Sequence, residues 1–431
     1  MSSWRQNAAY ATIVAVALAV YFPATSAWFY EDDLQWLAGT LTFTPADLLN
    51  LSAQRHFFRP VISLYFWAAA PLFDGSPVLF HWANSALHAA DGLLVLLVVR
   101  AIGFNLRWSF FAALFFVSMP AYVEAIAWVS ALAEPVTTFF GLISIYALLR
   151  ARWEGSSGWK TLSVAAFFMA LITHESAVVL LPLLVMADWA FGMREAGPRT
   201  PLLADLSTKF RRFAPYFLPL AVYLLVDLSV NQRSYLVEEG HYRIGLHAVR
   251  NLLAYVVTLY VGERNLPSFI VVAVVLIVLL LRGTPRVRFA TVWLLLWILP
   301  FSFFTWSNTS RYAYTPAVGM ALLLTEALSW LETRLAARLG SSARIAVVTL
   351  LAVFVAVRFM LFAVDNITGF AERTERYRNY AHSLRREYPD PPRGARLEVD
   401  VETADALQFR YVEALAQWEF RDPALRLDVR R

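Results

Sequence analysis

The sequence predicts an all-α protein that crosses a membrane many times, and three observations support this fold class. Of the 431 residues, 59% are hydrophobic, which is more than a buried core can absorb. Only 16% are charged, against about 25% in soluble domains. The apolar residues also lie in long runs, near the ~20 residues that a helix needs to cross a bilayer. These features exclude a soluble enzyme, a nucleic-acid-binding module and a disordered protein.

Eleven apolar runs are candidate transmembrane helices. The polar Thr173-His174-Glu175-Ser176 separates the fifth run from the sixth, because one continuous span would bury a carboxylate at mid-bilayer, at a cost of ~2.5 kcal/mol or more. The first run is too long for a signal peptide, so we expect it to remain as a helix. The runs lie near residues 8–28, 78–99, 108–124, 131–149, 161–173, 177–191, 213–230, 267–281, 289–306, 314–333 and 345–363.

Arginine-rich segments orient these helices. With a cytoplasmic N-terminus, every basic cluster falls on the cytoplasmic side, as the positive-inside rule requires. The net charge of +5 follows from this bias and does not indicate a nucleic-acid partner. The alternation of cytoplasmic and outer loops holds only if residues 245–264 do not cross the membrane. We therefore predict a re-entrant or interfacial helix over these residues. The outer loops are then residues 29–77, 120–131, 173–176, 231–266 and 307–313.

Residues 364–431 form a second, water-soluble part after a transmembrane domain of residues 1–363. This tail is predicted to be a small α/β appendage on the extracytoplasmic side, too short to hold much core alone. The chain has no cysteine, which excludes disulfides, zinc–thiolate sites and thiol catalysis. The predicted elements of the tail are a helix over 366–388, a strand at 396–401, a helix over 404–419 and a strand at 425–429.

Acidic side chains occur where helices emerge on the predicted outer face. Asp32 and Asp33 directly follow the first helix, and Glu124 stands at the next outer corner, one short loop before Glu134. The aspartate pair is either a solvated helix cap or a general base or metal ligand facing a cavity, at a height fixed by its aromatic flank. Adjacent carboxylates also suit Mg²⁺ or Mn²⁺, which leaves a divalent cation open as a cofactor.

Basic and polar candidates for the same site occur in the segments that follow the aspartate pair in the sequence. Arg59 either snorkels along the membrane surface or holds an anionic group. Four polar residues, His81, Asn84, His88 and Asp91, share one face of the second predicted span. The outer two are site candidates, whereas the inner two are typical of a hydrogen-bonded stripe between helices.

Two further corners complete the pattern, with His174 and Glu175 at one and Arg311 and Tyr312 at the other. Candidates from five separate segments therefore reach one face. Such a site suits group transfer from a lipid-anchored phosphate donor, because Asp takes a proton from an incoming hydroxyl and Arg offers a fixed fork to phosphate oxygens. The sequence has no Walker loop or Gly-rich dinucleotide turn, and a transporter would concentrate its ionisable groups near the bilayer midplane.

The same segments carry a resemblance to a known family. Phe58-Arg59-Pro60 followed by Phe80-His81-Trp82-Ala83-Asn84 resembles the "YRP…FHLVN" pattern of the GT-C membrane glycosyltransferases. The run from Met119 to Ser130 resembles the "HPVHVEAVAWVS" loop of the O-mannosyltransferases that carry tetratricopeptide tails. His174-Glu175 is similar to their "KE" corner, and Arg311 to Gly319 is similar to their "ERYLYLPSVG". The resemblance extends over about residues 28 to 325.

The resemblance implies a GT-C-like bundle of about 11 transmembrane helices. It also implies a polyprenyl-phosphate sugar as donor, an aspartate base, inversion at the anomeric carbon and transfer on the extracytoplasmic side. We therefore expect three groups of site residues, which are catalytic (Asp32, Asp33 and Glu124), donor-phosphate-binding (Arg59, His174, Arg311 and Tyr312) and site-lining (His81, Asn84 and Glu175).

Three departures from the family pattern bear on this expectation. His174 stands where the family has Lys, so a phosphate contact there depends on protonation. Ser310 stands where the family has an acid. The tetratricopeptide tail is replaced by the short α/β appendage, which leaves a protein, a lipid or a glycan open as the acceptor. The alternative function is a non-enzymatic transporter or scaffold for lipid-linked glycans. In either case we expect the plasma membrane of a bacterium or archaeon.

Overall fold

The computed structural model describes residues 3–51, 57–193, 206–231, 234, 238–305 and 309–430. Parts of the predicted outer loops 29–77, 231–266 and 307–313 lie outside these residues. The described chain is mostly helical, and each of the eleven apolar runs is helical over most of its length. Its first fifteen α-helices are α1 Ser3–Tyr21, α2 Asp32–Gly39, α3 Pro60–Leu72, α4 Pro77–Ala101, α5 Leu106–Ser118, α6 Glu124–Ala127, α7 Ala133–Glu154, α8 Ser157–Leu171, α9 Leu180–Phe191, α10 Leu206–Asn231, α11 His247–Val256, α12 Leu266–Arg282, α13 Pro285–Ser302, α14 Tyr314–Leu335 and α15 Ser341–Glu387.

Several of these helices have the length and composition of membrane spans. Within the described ranges, five helices are long and apolar enough to cross a bilayer, and a bent pair of helices makes a sixth only if the pair is counted as one broken span. The other apolar runs form helices that are shorter or less apolar, such as α5 and α8. Large apolar side chains are exposed on the outside of the bundle, for example Ile270 on α12 and Leu350 on α15. An exposed apolar surface of this kind is stable only against lipid.

Residues 245–264, which are predicted not to cross the membrane, lead into a sharp bend. Helix α11 continues into a π-helical turn, Val257–Val261, and Gly262 then reverses the chain at φ 93°, a backbone angle that glycine adopts without steric cost. The segment His247–Val261 meets α12 at 100°. This bend fits the re-entrant or interfacial helix predicted for residues 245–264, whose depth in the membrane stays a prediction.

The arginine clusters meet at one end of the bundle, which we call the basic end. There the start of α5 pairs with the end of α14 through Arg107 and Glu332. The Arg286 guanidinium, at the start of α13, donates to the carbonyl oxygen of Gly103 at 2.8 Å. Arg152, at the end of α7, pairs with Asp188 at 2.7 Å. Because α4 and α7 each run the length of the bundle away from this end, the predicted outer corners lie together at the opposite end.

Helix α15 is longer than the sequence predicted. It runs for 47 residues without interruption, or about 70 Å at 1.5 Å per residue. The separate helix predicted over 366–388 is therefore the second half of this helix, because no proline between residues 345 and 387 breaks it. The boundary expected between residues 363 and 364 falls inside a continuous helix.

The C-terminal appendage is a small βαβ unit that follows α15. Strands β1 Arg396–Asp400 and β2 Arg426–Arg430 pair in parallel, with Leu397 opposite Leu427. Helices α16 Val401–Ala406 and α17 Phe409–Glu419 connect them, as parallel pairing requires. The single helix predicted over 404–419 is thus two helices, because the chain turns at Gln408, where φ is 59°.

The appendage does not form its core alone. Val412 and Leu415 of α17 share one apolar cluster with Leu34 and Leu37 of α2 and with Phe66 of α3. This arrangement agrees with the prediction that the tail is too short to form much core alone. Helices α2 and α3 of the outer loop supply the missing apolar surface. Helix α2, which begins at the acidic pair, is packed between the bundle and the appendage.

Candidate active site

The two adjacent aspartates have different surroundings. Asp33 is buried, with 1% of its surface exposed. Its carboxylate accepts hydrogen bonds from the backbone N–H of Ser130 at 2.6 Å and of Tyr30 at 2.9 Å. Burial raises the pKa of Asp33 to about 7, although both N–H donors act in the opposite direction. Asp32 is half-buried, so it is the member of the pair that remains open to a substrate.

A second outer corner packs against the first. Glu124 is the first residue of the four-residue helix α6 and is half-buried. Trp128 follows α6, and its indole N–H donates to the carbonyl oxygen of Tyr30 at 3.0 Å. This bond and the one from Ser130 to Asp33 hold the two predicted corners together.

Arg311 lies at the junction of these corners. Its guanidinium stacks on the rings of Trp128 and Tyr312, 4.8 Å from each ring centre. Burial alone would lower the pKa of Arg311, but the oxygens of Tyr312, Asp32 and Glu124 outweigh it and raise the pKa above its usual value. Asp32 and Glu124, from two other segments, therefore lie within electrostatic range of Arg311, and we call this cluster the Arg311 pocket. Its assignment as an active site stays a prediction.

Arg311 is also a cation without an ion-pair partner. Among the described residues, no carboxylate lies within ion-pair distance of its guanidinium, and its one side-chain hydrogen bond goes to the hydroxyl of Tyr312 at 3.3 Å. Ser310 precedes it, where the family resemblance would place an acid. The planar group is thus fixed by two aromatic rings, and its N–H groups are available to an anion.

Arg59, in contrast, is already paired. Its guanidinium donates twice to the carboxylate of Glu175, at 2.6 and 2.9 Å. Burial by itself raises the pKa of Glu175, but the Arg59 guanidinium outweighs burial and lowers it to about 2. Glu175 therefore stays ionised at neutral pH, and Arg59 reaches a donor phosphate only in competition with this carboxylate.

His174 is neutral in this environment. Burial, followed by the charge of Arg59, lowers its pKa to about 3. Its Nδ1 accepts a hydrogen bond from the backbone N–H of Ser176 at 3.1 Å, which leaves the ring proton on Nε2. Nε2 lies 3.1 Å from the guanidinium of Arg59. In this tautomer both groups are donors, so the contact is not a hydrogen bond. The phosphate contact expected at His174 requires a protonated ring, and burial and Arg59 both disfavour that protonation.

Sequence reasoning missed one member of this cluster. Glu134 was noted only as a carboxylate one loop after Glu124, but 2% of its surface is exposed, and Oε1 lies 3.5 Å from Nε2 of His174. Within the described chain, neither of its carboxylate oxygens has a hydrogen bond of ordinary geometry. A carboxylate inside the fourth apolar run was the available signal, because such a group is costly to bury without a role.

The polar face of α4 has two parts with different partners. Towards the basic end, the hydroxyl of Tyr314 donates to Asp91 and contacts Nδ1 of His88, both at 2.8 Å, so these residues form an interhelical stripe. Nearer the site, Asn84 donates to the carbonyl oxygen of Ile126 at 3.2 Å. His81 is buried beside them. Asn84 thus connects α4 to α6, and the site-lining role expected of Asn84 and His81 stays a prediction.

The acidic residues do not gather as a metal-binding set. Across the ranges that the structure describes, no three His, Asp or Glu side chains lie together in an arrangement that could hold a metal ion. The sequence left Mg²⁺ or Mn²⁺ at the aspartate pair open, and that question stays open. Asp33 directs both of its carboxylate oxygens at backbone N–H groups.

Comparison with known protein sequences gives partial relatives. No family model matches the chain. It is 25% identical over 175 residues to the protein O-mannosyl-transferase TMTC3 of Mus musculus, which is 37% of this chain and 19% of the relative. It is 27% identical over 149 residues to TMTC2 of the same organism, which is 32% of this chain and 18% of the relative. The matches thus cover about a fifth of the length of these relatives.

Comparison with solved structures covers nearly the whole chain. ArnT from Cupriavidus metallidurans bound to undecaprenyl phosphate superposes with a TM-score of 0.53 at 14% identity, over 97% of this chain and 85% of that one. The oligosaccharyltransferase of Archaeoglobus fulgidus, in complex with Zn and sulfate, gives a TM-score of 0.56 at 12% identity, over 97% and 62%. The chain is therefore an integral membrane protein with the GT-C fold, and that prediction is confirmed.

Proposed function

We propose that this protein is a membrane glycosyltransferase that moves a sugar from a polyprenyl-phosphate donor to a hydroxyl acceptor. The observation that carries the proposal is the Arg311 pocket, where a guanidinium with no ion-pair partner among the described residues lies within electrostatic range of Asp32 and Glu124. A phosphate-binding cation and a carboxylate base are the two groups that this transfer needs. A pore or a scaffold needs neither.

The reaction uses these groups as follows. Asp32 accepts the proton of the acceptor hydroxyl while the oxygen of that hydroxyl forms a bond to the anomeric carbon. The bond between that carbon and the phosphate oxygen breaks, and its electron pair leaves with the polyprenyl phosphate. Arg311 binds the departing phosphate through parallel N–H groups. Attack from the face opposite the leaving group inverts the configuration of the sugar.

Each remaining residue has a narrower role. Glu124 stabilises the positive charge that develops on the sugar ring, as carboxylates do in glycosyl transfer. Asp33 is a positioning residue, because its oxygens hold the backbone of Tyr30 and Ser130. Arg59 and His174 approach the phosphate second, after the ion pair with Glu175 opens. A divalent cation at Asp32 would add positive charge beside the leaving group, and a chelator tests this.

The relatives favour the same chemistry. The ArnT structure contains undecaprenyl phosphate, a carrier of the proposed class, and the curated relatives are named as O-mannosyl-transferases. The pocket lies at the end of the bundle opposite the arginine clusters, so we propose that it faces the extracytoplasmic side of a bacterial or archaeal plasma membrane. The acceptor is then a protein, lipid or glycan that carries a hydroxyl group on that side.

The experiment uses the purified chain in nanodiscs. We would supply radiolabelled polyprenyl-phosphate mannose, glucose or galactose with serine- and threonine-containing peptides, diacylglycerol or oligosaccharides, with and without chelator. Transfer of label to one acceptor class is the expected result. Movement of an intact fluorescent donor between the leaflets of proteoliposomes, with no transfer to any acceptor, would instead support the transporter alternative.

A further inference from the structure

The C-terminal appendage reaches the proposed base. The hydroxyl of Tyr411, on α17, donates a 3.0 Å hydrogen bond to Oδ1 of Asp32. Tyr411 is 3% exposed, and burial together with the charge of Asp32 raises the pKa of its hydroxyl above the usual value. The hydroxyl therefore keeps its proton and acts as a donor to the carboxylate.

A second appendage residue acts on the same hydroxyl. The guanidinium of Arg410 donates to the oxygen of Tyr411 at 2.7 Å and lies 4.5 Å above its ring. A cation that donates to a hydroxyl oxygen makes the hydroxyl a stronger donor, because hydrogen bonds in a chain polarise one another. Arg410, Tyr411 and Asp32 thus form one connected series.

The contact is held from several directions. Val412 and Leu415 on α17 pack against Leu34 and Leu37 on α2, so the helix that carries Tyr411 lies directly on the helix that begins with Asp32. The hydroxyl of Tyr377, on α15, donates to the carbonyl oxygen of Leu407 at 3.2 Å and fixes the appendage to the bundle. A chance contact between two flexible surfaces would not have these supports.

We propose that the appendage completes the active site, with Tyr411 as the positioning residue that orients the Asp32 carboxylate. This inference rests on the proposed function, because it assigns Asp32 the role of base. The hydrogen bond occupies Oδ1 and turns Oδ2 towards the incoming hydroxyl. Orientation of a base within hydrogen-bond reach of its proton affects turnover more than donor binding.

The test compares Tyr411→Phe with Tyr380→Phe. Tyr380 packs against the same apolar cluster, and in the described chain its hydroxyl is buried without a hydrogen-bond partner, which makes it a matched control. We expect Tyr411→Phe to lower kcat by at least tenfold, to leave the donor KM within twofold and to leave the melting temperature close to that of the control. Arg410→Gln should lower kcat by a smaller factor.

An activity-independent measurement separates this inference from the proposed function. Hydrogen exchange of the backbone amides at residues 30–35 should be faster in Tyr411→Phe than in Tyr380→Phe, because the turn before α2 loses a support. A wild-type protein that transfers sugar while Tyr411→Phe keeps full kcat would overturn the inference alone. If the wild type transfers nothing, the proposed function fails, and equal exchange in the two variants would overturn the contact between appendage and base as well.

Discussion

The carboxylate of Asp33 accepts a 2.6 Å hydrogen bond from the backbone N–H of Ser130, 97 positions away in the sequence. This bond decides which member of the acidic pair is available for chemistry. Asp33 is buried and occupied by backbone donors, while Asp32 faces the pocket of Arg311. Two residues that are chemically equivalent in the sequence thus have separate roles, one in holding two corners together and one in the proposed reaction.

Asp33→Asn should destabilise the protein. An asparagine presents an NH₂ group to one of the two backbone N–H donors, and a buried unsatisfied donor costs about 1–3 kcal/mol. We expect a melting temperature several degrees below that of the wild type in detergent at pH 8. A variant as stable as the wild type would contradict the role assigned to Asp33.

The same variant tests a pH dependence. The pKa of Asp33 is about 7 in the folded protein, above the value of about 3.9 in an unfolded chain. The folded state therefore binds the extra proton, and this contribution to stability is lost as pH rises from about 4 through about 7. Asparagine does not titrate, so the gap in melting temperature between wild type and Asp33→Asn should narrow from pH 5 to pH 8. A constant or widening gap would count against the raised pKa.

Arg311→Lys should weaken donor binding more than it slows transfer. A lysine keeps the charge but neither stacks between Trp128 and Tyr312 nor offers paired N–H groups to phosphate. We expect a donor KM raised about tenfold or more, with a smaller change in kcat. Arg334→Lys is the control, because Arg334 also stacks on a tryptophan, Trp330, at the basic end of the bundle. An unaltered donor KM in Arg311→Lys would contradict the assignment of Arg311 as a donor-phosphate-binding residue.

Glu134→Gln should separate activity from stability. The buried carboxylate has no hydrogen bond of ordinary geometry in the described chain, so replacing it with a neutral amide removes a cost of burial. The change also removes a carboxyl group that can hold or release a proton beside His174. We expect at least tenfold lower turnover with an unchanged or higher melting temperature. Full activity with a much lower melting temperature would make Glu134 purely structural.

The absence of cysteine from the sequence makes the sidedness directly measurable. Gln35→Cys places a thiol on the exposed side of α2, and Ser341→Cys places one at the start of α15, at the basic end. In intact cells, a membrane-impermeant maleimide should label Gln35→Cys at once and Ser341→Cys only after permeabilisation. The reverse pattern would place the pocket in the cytoplasm and contradict an extracytoplasmic transfer.

The helices were predictable because each depends on local sequence. A run of apolar residues that is long enough for a bilayer forms a helix whatever its partners are. The predicted division of α15 between residues 363 and 366 was wrong, because Asp365 and Asn366 mark a change of surroundings from apolar to polar and do not break a helix. Sequence patterns report burial more directly than they report where backbone hydrogen bonding stops.

The sequence predicted which corners of the chain lie together, but it did not predict the contacts between them. Convergence of Asp32, Glu124 and Arg311 followed from counting crossings, because successive odd and even loops lie on opposite sides. Three contacts could not be predicted, which are the ion pair of Arg59 with Glu175, the approach of Glu134 to His174 and the hydrogen bond from Tyr411 to Asp32. Each depends on contacts between segments far apart in the chain, and the last joins residues 379 positions apart.

The most direct measurement of the central claim is sugar transfer by Asp32→Asn. The control is Asp74→Asn, which changes an exposed aspartate of the same outer loop at a positive φ of 47° that asparagine tolerates. The account predicts that Asp32→Asn binds the polyprenyl-phosphate donor as tightly as the wild type and loses transfer by at least a hundredfold, while Asp74→Asn transfers normally. Undiminished transfer by Asp32→Asn in the same membranes would contradict it.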